Sequence, residues 1–273
     1  DELLADTSDG HAVSQTVFME CGAAYRKEGP AFLRCVGETA FVAQAASIAR
    51  AQKAPTQIAG IIAHADLRLA ELDDVLDAHE EAAEGLFRGI RHAGASAGDI
   101  EGLAIPGGSD RNLMSNEAFR AGVARLGERG LTYDTWLYHF QIKDFVELAR
   151  AVPATTMILD HFGTPLGVGE FANQKEAIFE QWKEDIERVA ACPNVFAKLG
   201  GLAMPDNGFG WHERATPPSS DEFVEAQSGY YEHAIACVGV GRCMFESNFP
   251  VDRLSIGYRV LWNGLKKMTM DFS

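Results

Sequence analysis

Apolar positions along this chain gather into short β-rich runs, and each run gives way to a longer stretch in which apolar residues recur at helical spacing. The runs fall at 16–20, 57–64, 86–92, 131–139, 155–161, 195–200 and 243–250. Helical periodicity follows them at 39–51, 71–85, 116–129, 142–151, 174–191, 221–238 and 256–268. The clearest strand is 155–161, TTMILDH, where aliphatic and β-branched residues read as buried on both faces until the run stops on Asp160 and His161 and turns at Gly163. Two connections, 93–109 and 201–220, are too long and too rich in glycine or proline for plain linkers, so they are expected to be lids or substrate loops that close over a site.

Strict strand-helix alternation, with neither GxGxxG nor GxxxxGK[ST] after the first strand, predicts an α/β fold of the (β/α)8 TIM-barrel type in one domain over 1–273. Such a barrel needs eight strands, so the pattern places the first strand upstream of Asp1 and leaves the last helix short.

Composition narrows the partners. A hydrophobic content of 47% in 273 residues is enough for a substantial core. With 24 basic against 39 acidic residues the formal charge is −15, which repels polyanions and argues against nucleic acid. No apolar run approaches the length of a membrane span, and the opening DELLADTSDGH has neither the basic nor the apolar region of a secretory signal. The expectation is a cytoplasmic protein, away from membranes, that acts on a small molecule and is free to form a homo-oligomer. The five cysteines are an odd number without CxxC spacing, and Cys21, Cys192, Cys237 and Cys243 lie in or beside apolar segments, as reduced core thiols would.

The strand ends carry the candidate chemistry. They supply Glu20, His64, Arg91 with His92, His139, His161, Lys198, and Glu246 with Asn248. In a barrel these ends share one face, so residues far apart in sequence share one pocket. Each has a structural reading as well: Lys198 can run its stem along apolar surface, His64 can be a satisfied core histidine, and Arg91 can pair with Glu246. His11, His79, His212 and His233 fall in loops or helices and receive no chemical role. Neutral histidines beside a carboxylate suit a divalent metal or proton transfer, while Arg91, His92 and Lys198 suit a carboxylate or a carbonyl oxygen. Trp136 and Tyr138 are expected to wall the pocket. Hydrolysis of a carbonyl compound by activated water follows.

Five segments taken together, FMECGAAYR (18–26), LYHFQ (137–141), LDHFGTPLG (159–167), NVFAKLGGLAMP (194–205) and RCMFESNFPVD (242–252), carry a resemblance across nearly the whole chain. It resembles the amidohydrolase-related (amidohydrolase 2) family of TIM-barrel metal-dependent hydrolases, in the branch with sugar-acid and aromatic-ring lactonases. The resemblance implies opening of a lactone by activated water, with His139 and His161 as catalytic or metal-binding histidines and zinc as the first choice of divalent ion. Glu20 joins His139 and His161 as a metal ligand in this reading. The family's His-x-His pair has no counterpart in the chain, and Asn248 stands where relatives carry an aspartate. An amide cannot take a proton from water, so Asn248 orients substrate, and Glu246, Asp252 or a histidine serves as base. A metal is therefore possible without being required. Two alternatives stay open: a metal-dependent decarboxylase of the same superfamily, and a barrel kept as a binding protein.

Overall fold

The apolar runs form seven strands that are mostly shorter than the signals announcing them, and the computed structural model describes them within residues 2–272. Two compact units arise: Asp1–His92 with Ser115–Asp134 and Ala154–Thr156, and Ala93–Met114 with Thr135–Pro153 and Met157–Ser273.

In the first unit, β1 (Gln15–Met19), β2 (Gln57–Ala63), β3 (Phe87–Arg91) and β4 (Thr132–Thr135) pair in parallel and in chain order. With them run α1 (Glu2–Thr7), α2 (Val36–Ala51), α3 (Leu72–Ala82) and α4 (Glu117–Glu128). Val75 and Leu76 of α3 and Phe119, Val123 and Leu126 of α4 are fully buried, the apolar stripes that their spacing predicts. Asn116 caps α4 by accepting from Phe119 N–H at 3.0 Å. Two polar side chains in this core tie elements together. Glu38, in the first turn of α2, accepts the backbone N–H groups of Cys21 and Ala23 at 3.2 and 2.7 Å and so fixes the chain as it leaves β1. His79 sets its ring nitrogens 2.8 Å from the Thr39 hydroxyl and 3.0 Å from the His64 carbonyl, and burial pulls its pKa down to about 4. A histidine to which the sequence assigns no role is thus a neutral joint between α2, α3 and the end of β2.

In the second unit, β5 (Met157–Leu159), β6 (Val195–Leu199) and β7 (Cys243–Phe245) are parallel and successive. The helices are α5 (Ile142–Ala151), α6 (Lys175–Ala190), α7 (Ser220–Val238) and α8 (Tyr258–Met268). A Ser219–Glu222 capping box starts α7. Aromatic rings fill the space between helix and sheet: Phe162 lies 4.8 Å from Tyr231 and Trp182 lies 4.8 Å from Tyr230, centroid to centroid. Trp182 Nε1–H donates to the Phe162 carbonyl at 2.7 Å.

Several expectations are corrected. The run 131–139 pairs only over Thr132–Thr135, because Leu137 and Tyr138 are buried by loop packing and not by sheet alternation. Likewise 243–250 is strand only to Phe245, so Glu246 and Asn248 do not share a strand face; Asn248 has φ 50. All five cysteines are free thiols, yet Cys21 is exposed and Cys237 and Cys243 are only half-buried, leaving Cys35 and Cys192 as the core thiols. Among the described residues no helix is long and apolar enough to cross a membrane.

Candidate active site

The second unit gathers most of the candidate chemistry where β5, β6 and β7 end. After Leu159 the chain does not continue as strand: His161, Phe162, Gly163 and Thr164 all have positive φ, at 55, 56, 68 and 40°. Three non-glycine residues out of these four in or near the left-handed region are costly, and such strain concentrates at sites where geometry is imposed by function. The turn is closed by Gly163 N–H to the Asp160 carbonyl at 2.9 Å and Thr164 N–H to the His161 carbonyl at 2.8 Å. Its effect is to aim His161 at the end of β7, where Nδ1 meets Glu246 Oε1 at 2.7 Å and the same oxygen accepts the His161 backbone N–H at 3.3 Å.

The two glycines after β6 make this pair possible. A Cβ at Gly200 would lie 2.4 Å from Glu246 Cγ, and one at Gly201, which has φ 76°, would lie 2.4 Å from His161 Nδ1. In the sequence these glycines stand in LGGLAMP, 199–205, within one of the segments of the family resemblance. Its glycine pair was the available signal for a close approach.

Lys198 is buried, and its Nζ lies 2.8 Å from Asp160 Oδ1, itself wholly buried. This replaces the reading of a lysine lying along the surface. The cation is held at a fixed place, and Asp160 is the positioning partner that the sequence showed only as a strand end. Asn248 Nδ2 donates to Asp252 Oδ1 at 2.8 Å. Burial pushes the Asp252 carboxyl up to about 7 against the hydrogen bond from Asn248 and the nearby charge of His161, which lower it.

His139 follows β4 in a short 3-10 turn and is nearly buried. Its Nδ1 lies 3.3 Å from Leu166 N, its ring stands edge-on to Phe140 and Phe171, and burial lowers its pKa to about 4. Beside it a cavity of about 500 Å³ is lined by Asp99, Arg111, Phe140, Asp144, Glu170 and Phe171 among others. Arg111 is a candidate that strand-end reasoning had no means to find, since it lies in the connection leading to α4.

Tyr138 does not wall a pocket. It is wholly buried in a cluster with Ala95, Ala97 and Leu166, against which Trp136 packs. Its hydroxyl accepts from Gly107 N–H at 2.8 Å and donates to the Ile105 carbonyl at 3.3 Å. The expected lid 93–109 is fastened at further points: Gln141 bonds Ser96 N–H at 3.1 Å and the Gly94 carbonyl at 2.9 Å, and the buried Asp206 carboxylate accepts the N–H groups of Ala104 and Ile105. The loop is a pinned wall in this structure.

In the first unit Arg91 Nε donates to Glu20 Oε1 at 2.8 Å and a second guanidinium nitrogen donates to the Glu20 carbonyl, so Arg91 pairs with Glu20. His92 Nδ1 accepts Leu67 N–H at 3.3 Å, and its ring lies 5.7 Å from that of His64, whose Nδ1 donates to the Arg91 carbonyl at 3.1 Å. Among the described residues a trio with one donor atom each, all within 4.8 Å of one another, is Glu187, His233 and Cys237. His161 and Glu246 alone are two donors, short of the three that a catalytic metal takes from protein.

Comparison with known proteins gives the lineage. The amidohydrolase family model matches residues 3–267. An uncharacterized protein, y4mH, of Sinorhizobium fredii is 35% identical over 214 residues, covering 78% of this chain and 64% of its own length. An L-fucono-1,5-lactonase of Burkholderia multivorans is 27% identical over 202 residues, covering 74% of this chain and 61% of its own length. The chain thus spans less than two thirds of either relative. Among solved structures, an amidohydrolase from Burkholderia multivorans with bound HEPES superposes with a TM-score of 0.71 at 21% identity, over 100% of this chain and 81% of that one. A zinc-bound form of the same amidohydrolase gives 0.68 at 23% identity, with the same coverage. A putative 2-pyrone-4,6-dicarboxylic acid hydrolase from Pseudomonas putida gives 0.55 at 16%, over 94% and 91%. The fold is the α/β TIM-barrel type that the strand-helix alternation predicts, and the chain belongs to the amidohydrolase family.

Proposed function

We propose that this protein is a hydrolase that opens a lactone of a small polyhydroxylated acid, with the His161–Glu246 pair as its general base. The observation that carries the reading is the 2.7 Å contact between His161 Nδ1 and Glu246 Oε1, held by a strained turn on one side and two glycines on the other. With Nδ1–H donated to the carboxylate, Nε2 is the basic nitrogen, and the carboxylate stabilises the imidazolium that forms. Water gives a proton to Nε2 as its oxygen bonds to the lactone carbonyl carbon. The ring C–O bond then breaks, and the ring oxygen leaves with the proton from Nε2–H. Lys198, held in place by Asp160, offers positive charge to the carbonyl oxygen as it becomes an oxyanion. His139, neutral through burial, serves as a hydrogen-bonding partner to substrate.

The cavity beside His139 favours a sugar-type ring over a dicarboxylate. Phe140 and Phe171 provide apolar faces, and Asp99, Asp144 and Glu170 outnumber Arg111, a balance that accepts hydroxyl groups and repels a polyanion. The lactonase relative points the same way. A divalent ion, zinc first, stays part of the proposal because of the family, with His161 and Glu246 as donors; it needs further ligands, and no step above depends on it. The partner is a small-molecule lactone or carboxylate.

The test is proton release from a panel of sugar 1,5- and 1,4-lactones, corrected for spontaneous opening, beside aromatic acids assayed for carbon dioxide. Saturable proton release with a sugar lactone is the expected result. Carbon dioxide from an aromatic acid would favour the decarboxylase, and binding without turnover would favour the binding barrel.

A further inference from the structure

His233 and Cys237 stand one turn apart on α7, so both side chains lie over the same face of that helix. The neighbouring α6 presents Glu187 to them. One donor atom from each of the three residues falls within 4.8 Å of the other two, and Cys237 Sγ is 3.4 Å from His233 Nε2. Glu187 is exposed and the other two are half-buried, so an ion can reach them from solvent. None of the three has a part in the reaction proposed above. From this geometry we infer that Glu187, His233 and Cys237 form a second, separate binding site for a divalent ion of the zinc class, bridging α6 and α7 and completed by water.

The donor set selects the ion. Thiolate, imidazole and carboxylate together match the ligands that zinc takes at tetrahedral sites, whereas magnesium and calcium prefer all-oxygen sets. Electrostatics favours a cation at this point as well. Burial and the Glu187 carboxylate both raise the Cys237 thiol pKa, because thiolate and carboxylate would repel. A divalent ion between them turns that repulsion into two attractions. Binding forms a metal–sulfur bond while the Cys237 proton leaves to solvent, with no change of oxidation state, so affinity rises with pH. His233 Nε2 also lies 3.1 Å from the Lys183 carbonyl and must release it to bind through that atom, which keeps the site weaker than a closed four-ligand centre.

The experiment is titration of the full chain with cadmium, a zinc stand-in whose thiolate complexes absorb in the near ultraviolet. The charge-transfer band reports a bound thiolate, which the His161–Glu246 site lacks, so it is independent of any metal there. One equivalent with the band is expected, preserved in His161→Gln and in Cys21→Ser, the latter removing the exposed thiol. The band should be lost in Cys237→Ser, and affinity should fall at least about tenfold in His233→Gln and in Glu187→Gln. Because Glu187 is exposed, its variant keeps the test decisive where Cys237→Ser fails to fold. No band in the parent protein, a full band in folded Cys237→Ser, or unchanged affinity in Glu187→Gln would each overturn the assignment.

Discussion

Gly201 packs its Cα hydrogens against the His161 ring, where a Cβ would stand 2.4 Å from Nδ1, and its φ of 76° is one that side chains rarely adopt. Gly201→Ala therefore has two costs, about 1 kcal/mol or more of backbone strain and displacement of the imidazole from Glu246. We expect kcat to fall by about 10² or more while far-UV circular dichroism stays close to the parent's; unaltered kcat would mean that the ring position is unimportant. Asp252 gives a pH signature. Its folded pKa of about 7 lies above the ordinary value of 3.8, so its stabilising protonated state is complete below 3.8 and is lost as pH rises through 7. Asp252→Asn should flatten the decline in stability across that window in urea midpoints, and an unchanged slope would remove Asp252 as its source. At this scale the sequence was legible only in part. His161, Glu246 and Lys198 were visible as polar residues ending apolar runs. Asp160 as the partner of Lys198, and the glycines as a cradle, depend on approaches between segments that no local pattern encodes.

Elements were more legible, with characteristic errors at their ends. Helix α5 is found over Ile142–Ala151 as its spacing predicts, because an apolar stripe and Pro153 fix both face and stop. Strand β4 is shorter than its signal because the buried Leu137 and Tyr138 beyond the sheet mimic strand alternation, and β7 because Phe249 extends the apolar pattern past Phe245. The connection 93–109 is held by a carboxylate arriving from another loop, which its length and glycine content do not reveal. Asp206 is that carboxylate, so Asp206→Ala should lower hydrogen-exchange protection at Ala104 and Ile105 by about tenfold. Protection equal to the parent's would show that Tyr138 and Gln141 hold the loop by themselves.

For the molecule as a whole, strand-helix alternation and five motif segments in order were enough to identify family and fold, since both depend on sequence pattern along the entire chain. Which charged groups pair was not readable at that level. Arg91 pairs with Glu20 and Lys198 with Asp160, choices set by the proximity of strand ends. The central claim, that His161 and Glu246 act as one base, is tested most directly by kcat on a responsive sugar lactone for His161→Gln, Glu246→Gln and the double variant. A functional pair predicts that each single change lowers kcat by about 10² or more and that the double loses little beyond either single. Singles with a kcat close to the parent's, or losses that multiply in the double variant, would contradict the account.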